Sequence, residues 1–258
     1  MFREFTQDFY KIRKARSLRW CIIVCAIICF VEAIVSNVLH GSMVVSVMLS
    51  VNQHFIHVYS TILFSILLCQ KDYQNDYINN VMVSVNKVKY YLSKFAYIVL
   101  FALIMYALTF LGEIIGNYSF GDKLFCDIPN DNGQDFYTTE EYVYASLLFF
   151  FTDITLGMFA MMMVYLLRNS IIATALSFGY VFVINGLICM AINAIVGNNF
   201  LFEYYTPVWI LDSVGHPSFF AKFSPVPYNR MECFAIILAY FVGFFTIGLL
   251  AVYKRKKY

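Results

Sequence analysis

The sequence predicts an all-α integral membrane domain over residues 1–258, with six transmembrane helices and both termini on the cytoplasmic side. Composition is the first reason, because 61% of the residues are hydrophobic and only 13% are charged. A soluble domain of this length could not hide so much apolar surface. The second reason is that six apolar segments reach the length of about 20 residues that crosses the hydrocarbon core of a bilayer. The distribution of basic residues is the third.

The six segments are separated by polar connections, and all five prolines lie in those connections. No predicted span therefore contains the residue that most strongly breaks a helix. Helices are expected because lipid offers the backbone no hydrogen-bond partner outside the segment itself. The predicted spans are residues 20–39, 43–69, 95–115, 142–167, 171–196 and 233–253.

The positions of the basic residues predict the orientation of the spans. Of the 18 Lys and Arg residues, all except Lys123, Lys222 and Arg230 fall on one side if the N-terminus is cytoplasmic. Loops rich in Lys and Arg stay on the cytoplasmic side, so this orientation is favoured over its reverse.

The segment before the first span, residues 1–19, carries an apolar stripe at helical spacing. Phe2, Phe5, Phe9 and Ile12 recur at intervals of three and four, and basic residues occupy the other faces. This pattern is typical of a helix that lies in the membrane interface with its basic side towards anionic headgroups. The alternative is a short basic tail whose aromatic residues align by chance.

Two longer connections are predicted outside the cell. Residues 117–141 are acidic and rich in loop-forming residues, which indicates an exposed loop. Residues 197–231 are unusually aromatic, so we expect this loop to fold back as short helices over the bundle or at the interface. Cys126 lies in the first loop and could pair with Cys189 or Cys233, a question that the sequence leaves open.

The second predicted span carries a polar stripe at helical spacing. Its side chains should face the bundle interior or an aqueous path, because polar groups are costly in lipid. The stripe could be a wall of a substrate route or a set of interhelical hydrogen bonds, and both can hold. The stripe contains two histidines, His54 and His57. No Cys, Asp or Glu lies close to them in sequence, so no metal site is predicted. The stripe consists of Ser50, His54, His57, Thr61 and Ser65.

Two carboxyl groups lie well inside predicted spans, Glu32 in the first and Asp153 in the fourth. An ionisable residue at that depth is a candidate for function, here in a substrate path, although it can also fix helix packing. Glu113 lies near the outer end of the third predicted span, so we expect it to reach the interface.

The cytoplasmic connection between the second and third predicted spans, residues 70–94, is polar and of mixed charge. It is the place where a soluble partner would dock. An acidic residue and an aromatic residue, Asp72 and Tyr73, open it, and the aliphatic Ile78 follows. Lys87 and Lys94 are seven residues apart at its end. With these residues the chain resembles the permease subunits of type-2 ATP-binding-cassette exporters, whose coupling segment has this order of residue types.

The chain departs from the family pattern at two places. Asp76 and Tyr77 stand where the family has Gly-Thr, and Asn79 stands where it has a basic residue. The interfacial helix, the six spans and the long outer loop before the last span are also similar to the family.

The resemblance implies a non-catalytic membrane subunit that binds no cofactor. ATP and Mg²⁺ would be held by a separate cytoplasmic ATPase dimer, and this chain has no Gly-x-x-x-x-Gly-Lys-Ser/Thr phosphate loop of its own. The implied partners are that dimer, a second permease chain and membrane lipid, with no nucleic acid. The implied setting is the plasma membrane of a bacterium, and the implied activity is export of an antimicrobial peptide, another peptide, a lipid or a drug, or immunity to such a peptide.

One alternative belongs to a different class. The chain could be a multispan membrane enzyme or an assembly factor whose groups are Glu32, Asp153, His54 and His57.

Overall fold

The computed structural model describes residues 2–40, 51–74, 86–120, 128–129, 135–137, 139–196, 206–208, 210 and 230–254. The described chain is almost entirely helical, which confirms the predicted all-α membrane fold. Its helices are α1 (Phe2–Lys14), α2 (Arg16–His40), α3 (Val51–Gln74), α4 (Lys87–Phe120), α5 (Thr139–Leu167), α6 (Ser170–Gly179), α7 (Asn185–Val196) and α8 (Arg230–Tyr253).

Five helical stretches in the described residues are long and apolar enough to cross a membrane. They are Arg16–Val35, Lys87–Gly116, Ser146–Leu167, Ser170–Ile195 and Met231–Tyr253. Helix α3, which corresponds to the second predicted span, contributes the shorter apolar stretch Ile56–Gln70. The part of that predicted span before Val51 lies outside the described residues. The chain is thus a multipass membrane protein.

Helix α5 is the centre of the bundle. It packs against α3, α4, α6 and α8, whereas α2 packs mainly against α4. In the apolar, membrane-spanning stretch of α5, 78% of the residues are buried inside the bundle, whereas 17% are buried in the corresponding stretch of α8. The peripheral helices expose large apolar side chains, such as Ile171, Phe182 and Leu238. In lipid this exposure carries no hydrophobic cost, because the surrounding acyl chains are as apolar as the side chains.

The turn between α5 and α6 is built from two residues. Arg168 adopts a left-handed backbone conformation with φ 56°, which reverses the chain. The side chain of Asn169 accepts hydrogen bonds from the backbone N–H groups of Ile171 (2.9 Å) and Ile172 (3.2 Å). These two contacts cap α6 and leave fewer unpaired N–H groups at its start.

The fifth predicted span is not a uniform α-helix. Residues Tyr180–Ile184 form a π-helical turn between α6 and α7. Two glycines flank it, Gly179 and Gly186. Such turns insert one extra residue into a helix and change which face the following residues present.

The first predicted outer loop contains a hairpin that the sequence does not predict. A small antiparallel hairpin, β1 (Ile128–Pro129) with β2 (Asp135–Tyr137), lies within the loop predicted over 117–141. In the apolar loop, the described residues Thr206, Val208 and Ile210 are buried. The amide of Asn185 in α7 donates a hydrogen bond to the hydroxyl of Thr206 at 3.2 Å, so this part of the loop rests on the bundle. Cys126 lies outside the described residues, and its pairing stays untested.

Candidate functional site

The polar stripe of α3 points into the bundle. His57, Thr61 and Ser65 are all buried, with no more than 2% of each residue exposed. The hydroxyl of Ser65 donates a hydrogen bond to the backbone carbonyl of Thr61 at 2.7 Å, which satisfies it within the helix. Ser50 lies outside the described residues, and His54 lies in α3 with a side chain outside the described part.

His57 joins α3 to α4. Its Nε2 lies 2.8 Å from the hydroxyl oxygen of Thr109, a hydrogen bond in which either atom can donate. Its ring also packs against Tyr106, with the ring centroids 4.6 Å apart. Both partners lie on the same face of α4, since they are three residues apart.

Helix α5 approaches the stripe closely at Gly157. A Cβ at this position would lie 2.8 Å from the Cγ2 of Thr61 and 3.1 Å from the Oγ of Ser65. Glycine is therefore the residue that lets the backbone of α5 rest on α3, as small residues do between membrane helices. In this conformation Thr61 and Ser65 lie in a helix contact.

Asp153, one turn before Gly157, is fully buried in the same contact region. Neither of its carboxyl oxygens makes a hydrogen bond to the described residues, and the buried hydroxyl of Tyr106 makes none either. The two groups are nevertheless near enough to interact electrostatically. Cys29 of α2 also lies within electrostatic range of Asp153. A polar group buried without a partner costs stability, so this position is a candidate for function.

Glu113 corrects one expectation from the sequence. It was expected to reach the interface, but it is buried, with 1% exposed. The reason is that α4 continues to Phe120, so Glu113 lies almost two turns inside the helix end. It also lies within electrostatic range of Tyr106. A signal was present, because Tyr106, Thr109 and Glu113 recur at spacings of three and four.

Glu32 lies on α2, where its side chain is partly exposed. Of the candidate path residues with described side chains, His57, Thr61, Ser65 and Asp153 meet where α3, α4 and α5 pack together. We call this set, with Tyr106, Thr109 and Glu113, the intramembrane polar cluster.

A second polar site lies where α1 meets the start of α4. Lys94 is fully buried, and its ammonium lies 2.6 Å from a carboxylate oxygen of Asp8. The other carboxylate oxygen of Asp8 accepts a hydrogen bond from the hydroxyl of Ser93 at 2.8 Å. The ammonium of Lys94 also lies 5.3 Å from the centre of the Tyr90 ring. The role of Asp8 was missed, although its spacing from Ile12 puts it beside the apolar stripe of α1.

Lys87, another coupling candidate, lies at the same end of α4 as Lys94. The ammonium of Lys87 donates a hydrogen bond to the backbone carbonyl of Tyr253 at 2.8 Å, so it caps the end of α8. Asp72 and Tyr73 lie in the last turn of α3, but their side chains are outside the described part. Ile78 lies outside the described residues.

The first turns of α4 replace part of the segment that the sequence predicted as a connection. Since α4 begins at Lys87, both Lys87 and Lys94 are helical residues. At the α-helical rise of 1.5 Å per residue, its 34 residues span about 50 Å, well beyond the roughly 30 Å of a hydrocarbon core. Helix α4 is therefore longer than the hydrocarbon core is thick, and its first turns are continuous with the turns that carry Tyr106, Thr109 and Glu113.

Comparison with known proteins assigns a family. The model of a family described as "ABC-2 family transporter protein" matches residues 5–185, which extend from α1 to the start of α7. No curated protein matches the chain.

Proposed function

Because the chain belongs to the ABC-2 family of transporter proteins, we propose that it is the membrane subunit of an exporter for an amphipathic substrate. As an ABC transporter permease it works with an ATPase of the same transporter class. The observation that carries the proposal is the family match, which extends from α1 through the first four spans and into the fifth. ATP is hydrolysed on a separate cytoplasmic ATPase dimer, and a second permease chain, identical or homologous, completes the transporter.

The ATPase docks on the segment of residues 70–94, which includes the end of α3 and the first turns of α4. Asp72, Tyr73 and Ile78 lie in its first half and Lys87 lies in its second. Lys94 belongs to the same coupling segment but is buried, so it acts through its contact with Asp8 and not as part of the docking surface. This assignment is supported by the continuity of α4, which runs without interruption from Lys87 to Phe120. A displacement applied at Lys87 is carried along that helix to Tyr106, Thr109 and Glu113.

The substrate path is formed when α3 separates from α4 and α5. The close approach of Gly157 to Thr61 supports a route that opens only when α3 and α5 separate. Separation exposes buried polar groups, among them His57 and Asp153. Ser50, His54 and Glu32 extend the same path. A route with polar groups on apolar walls suits an amphipathic peptide, a lipid or a drug.

The setting is the plasma membrane of a bacterium, where the transporter exports an antimicrobial peptide or protects the cell from one. The family assignment favours this function over the alternative of a membrane enzyme or assembly factor.

The test is copurification of the chain with a candidate ATPase, followed by measurement of ATP hydrolysis in lipid nanodiscs. We expect Asp72→Asn combined with Lys87→Met to weaken ATPase binding at least tenfold. The matched control is Lys89→Met, because this lysine is exposed and lies two residues after Lys87. Unchanged binding and hydrolysis in the double variant would show that the docking assignment is wrong. A chain that binds no such ATPase would contradict the proposed function itself.

A further inference from the structure

The carboxylate of Asp8 ties the N-terminal helix to the first turns of α4. Its two oxygens have different partners, since one lies 2.6 Å from the ammonium of Lys94 and the other 2.8 Å from the hydroxyl of Ser93. All three side chains are buried, with at most 2% of each residue exposed. Asp8 thus contacts two consecutive residues of α4, Ser93 and Lys94. Its own side chain is short, with only two rotatable bonds.

Such a link determines position more than it adds stability. A buried ion pair loses most of its Coulomb energy to desolvation, so an apolar contact would hold the two helices as well. What an apolar contact lacks is a defined register, because it tolerates sliding and rotation. Because both oxygens of this short side chain are hydrogen-bonded, α1 has little freedom to slide or rotate against α4.

The same carboxylate offers an internal comparison. Lys11, one turn further along α1, lies 3.4 Å from the oxygen that also contacts Lys94. Its side chain is 20% exposed and belongs to the same helix as Asp8, so this pair cannot connect α1 to α4. The pair is partly buried, and because both of its members belong to α1 it adds nothing to the link between α1 and α4.

We propose that Asp8 is a positioning residue, which acts through Lys94 and Ser93 to make α1 and the first turns of α4 move as one body during the ATPase cycle. The inference rests on the proposed function, because the motion is supplied by the ATPase docked on the segment of residues 70–94. It makes α1 a moving part of the transporter in addition to an interfacial anchor. The displacement reaches the membrane surface through α1 and the bundle interior through α4.

The experiment measures distances between spin labels on the full chain, bound to its ATPase in lipid nanodiscs. Genetically encoded spin-labelled amino acids avoid the native cysteines. One label replaces exposed Arg13 on α1 and the second replaces exposed Val88 on α4. A reference pair joins Arg13 to exposed Ile171 on α6. Each pair is measured without nucleotide and after trapping with ADP and vanadate.

In the wild-type chain we expect a narrow distance between Arg13 and Val88 that is the same in both states, and a shifted distance between Arg13 and Ile171 after trapping. Asp8→Asn should broaden the first distribution and make it depend on nucleotide. Lys11→Gln should leave both pairs as in the wild type. The exchange of charges, Asp8→Lys with Lys94→Asp, should restore a narrow distribution between Arg13 and Val88.

Two results would overturn the proposal. One is a distance between Arg13 and Val88 that changes on trapping in the wild-type chain. The other is a narrow, unchanged distribution in Asp8→Asn. Should Asp8→Asn not fold, Ser93→Ala tests the same link, because it keeps the ion pair and removes the second bond, and it should give intermediate broadening. If the ATPase binds but trapping shifts no pair, the proposed function fails, whereas a narrow distribution in nucleotide-free Asp8→Asn contradicts the link alone.

Discussion

Gly157 in α5 lies against Thr61 in α3 so closely that a Cβ on the glycine would be 2.8 Å from the Cγ2 of the threonine. This contact joins the central helix to the polar stripe. Membrane helices gain little from hydrophobic burial against each other, so close packing and interhelical hydrogen bonds hold them together. The closed arrangement of α3 and α5 depends on the absence of a side chain at position 157.

Substitution of this glycine should therefore loosen the bundle. We expect Gly157→Ala to lower the free energy of unfolding by about 1–3 kcal/mol, the usual cost of overpacking. Thermal unfolding in detergent measures the change. Gly186→Ala is the matched control, since a Cβ there meets nothing within 4 Å and the alanine should be neutral or stabilising. Equal effects of the two substitutions would mean that the contact with Thr61 relaxes without cost.

A second glycine contact predicts a compensating pair. A Cβ at Gly248 in α8 would collide with the hydroxyl of Tyr91, and it would lie 3.1 Å from the Cζ of the same ring. That hydroxyl is buried and makes no hydrogen bond to the described residues. We expect Gly248→Ala to cost about 1–3 kcal/mol, because the rigid ring cannot move far. Tyr91→Phe alone should be nearly neutral, since it removes no hydrogen bond to the described residues.

The double variant Gly248→Ala with Tyr91→Phe tests whether the loss comes from the contact with Tyr91 or from alanine at any position in α8. Tyr91→Phe should recover at least half of the loss caused by Gly248→Ala, a coupling that a double-mutant cycle measures. Gly243→Ala in the same helix is the control, because nothing lies within 4 Å of its added Cβ. Strict additivity of the two changes would contradict the predicted collision.

The sequence predicts the spans and the buried face of α3, because hydropathy and helical periodicity act locally. It does not predict which residues meet across helices. Asp8 shows this, since its partners lie 85 and 86 residues away and no local pattern identifies them. Glu113 shows a second limit, because its depth depends on where α4 ends and sequence patterns locate helix ends poorly. The π-helical turn at Tyr180–Ile184 has no sequence pattern that distinguishes it from an α-helix.

The hydrogen bond between His57 and Thr109 predicts a modest change in stability. Thr109→Val keeps the shape of the side chain and removes its hydroxyl, so the 2.8 Å bond is lost. Interhelical hydrogen bonds in membranes contribute about 0.6 kcal/mol on average, and we expect a loss near that value. Thermal unfolding measures it, with Thr174→Val as control because that hydroxyl bonds to Ser170 of its own helix. A loss confined to Thr174→Val would argue against the link between α3 and α4.

A substitution of Asp153 should change transport without lowering the stability of the fold. Its carboxyl is fully buried and makes no hydrogen bond to the described residues, and a buried polar group in that state costs about 1–3 kcal/mol. Asp153→Asn keeps the shape of the side chain and removes the group that could carry a negative charge in this buried position. We therefore expect the variant to unfold at the same temperature as the wild type or higher. If Asp153 lies on the substrate path, stimulation of ATP hydrolysis by a cationic amphipathic peptide should fall at least fivefold.

The control for this prediction is the neighbouring residue. Thr152 is equally buried, and its hydroxyl donates to the carbonyl of Leu148 in its own helix at 2.8 Å. Thr152→Val should leave peptide stimulation unchanged, because the bond that it removes lies within α5. A destabilised Asp153→Asn with full stimulation would identify the carboxyl as a packing element. Together, retained stability and lost stimulation are the combination expected of a residue kept for transport at the expense of the fold.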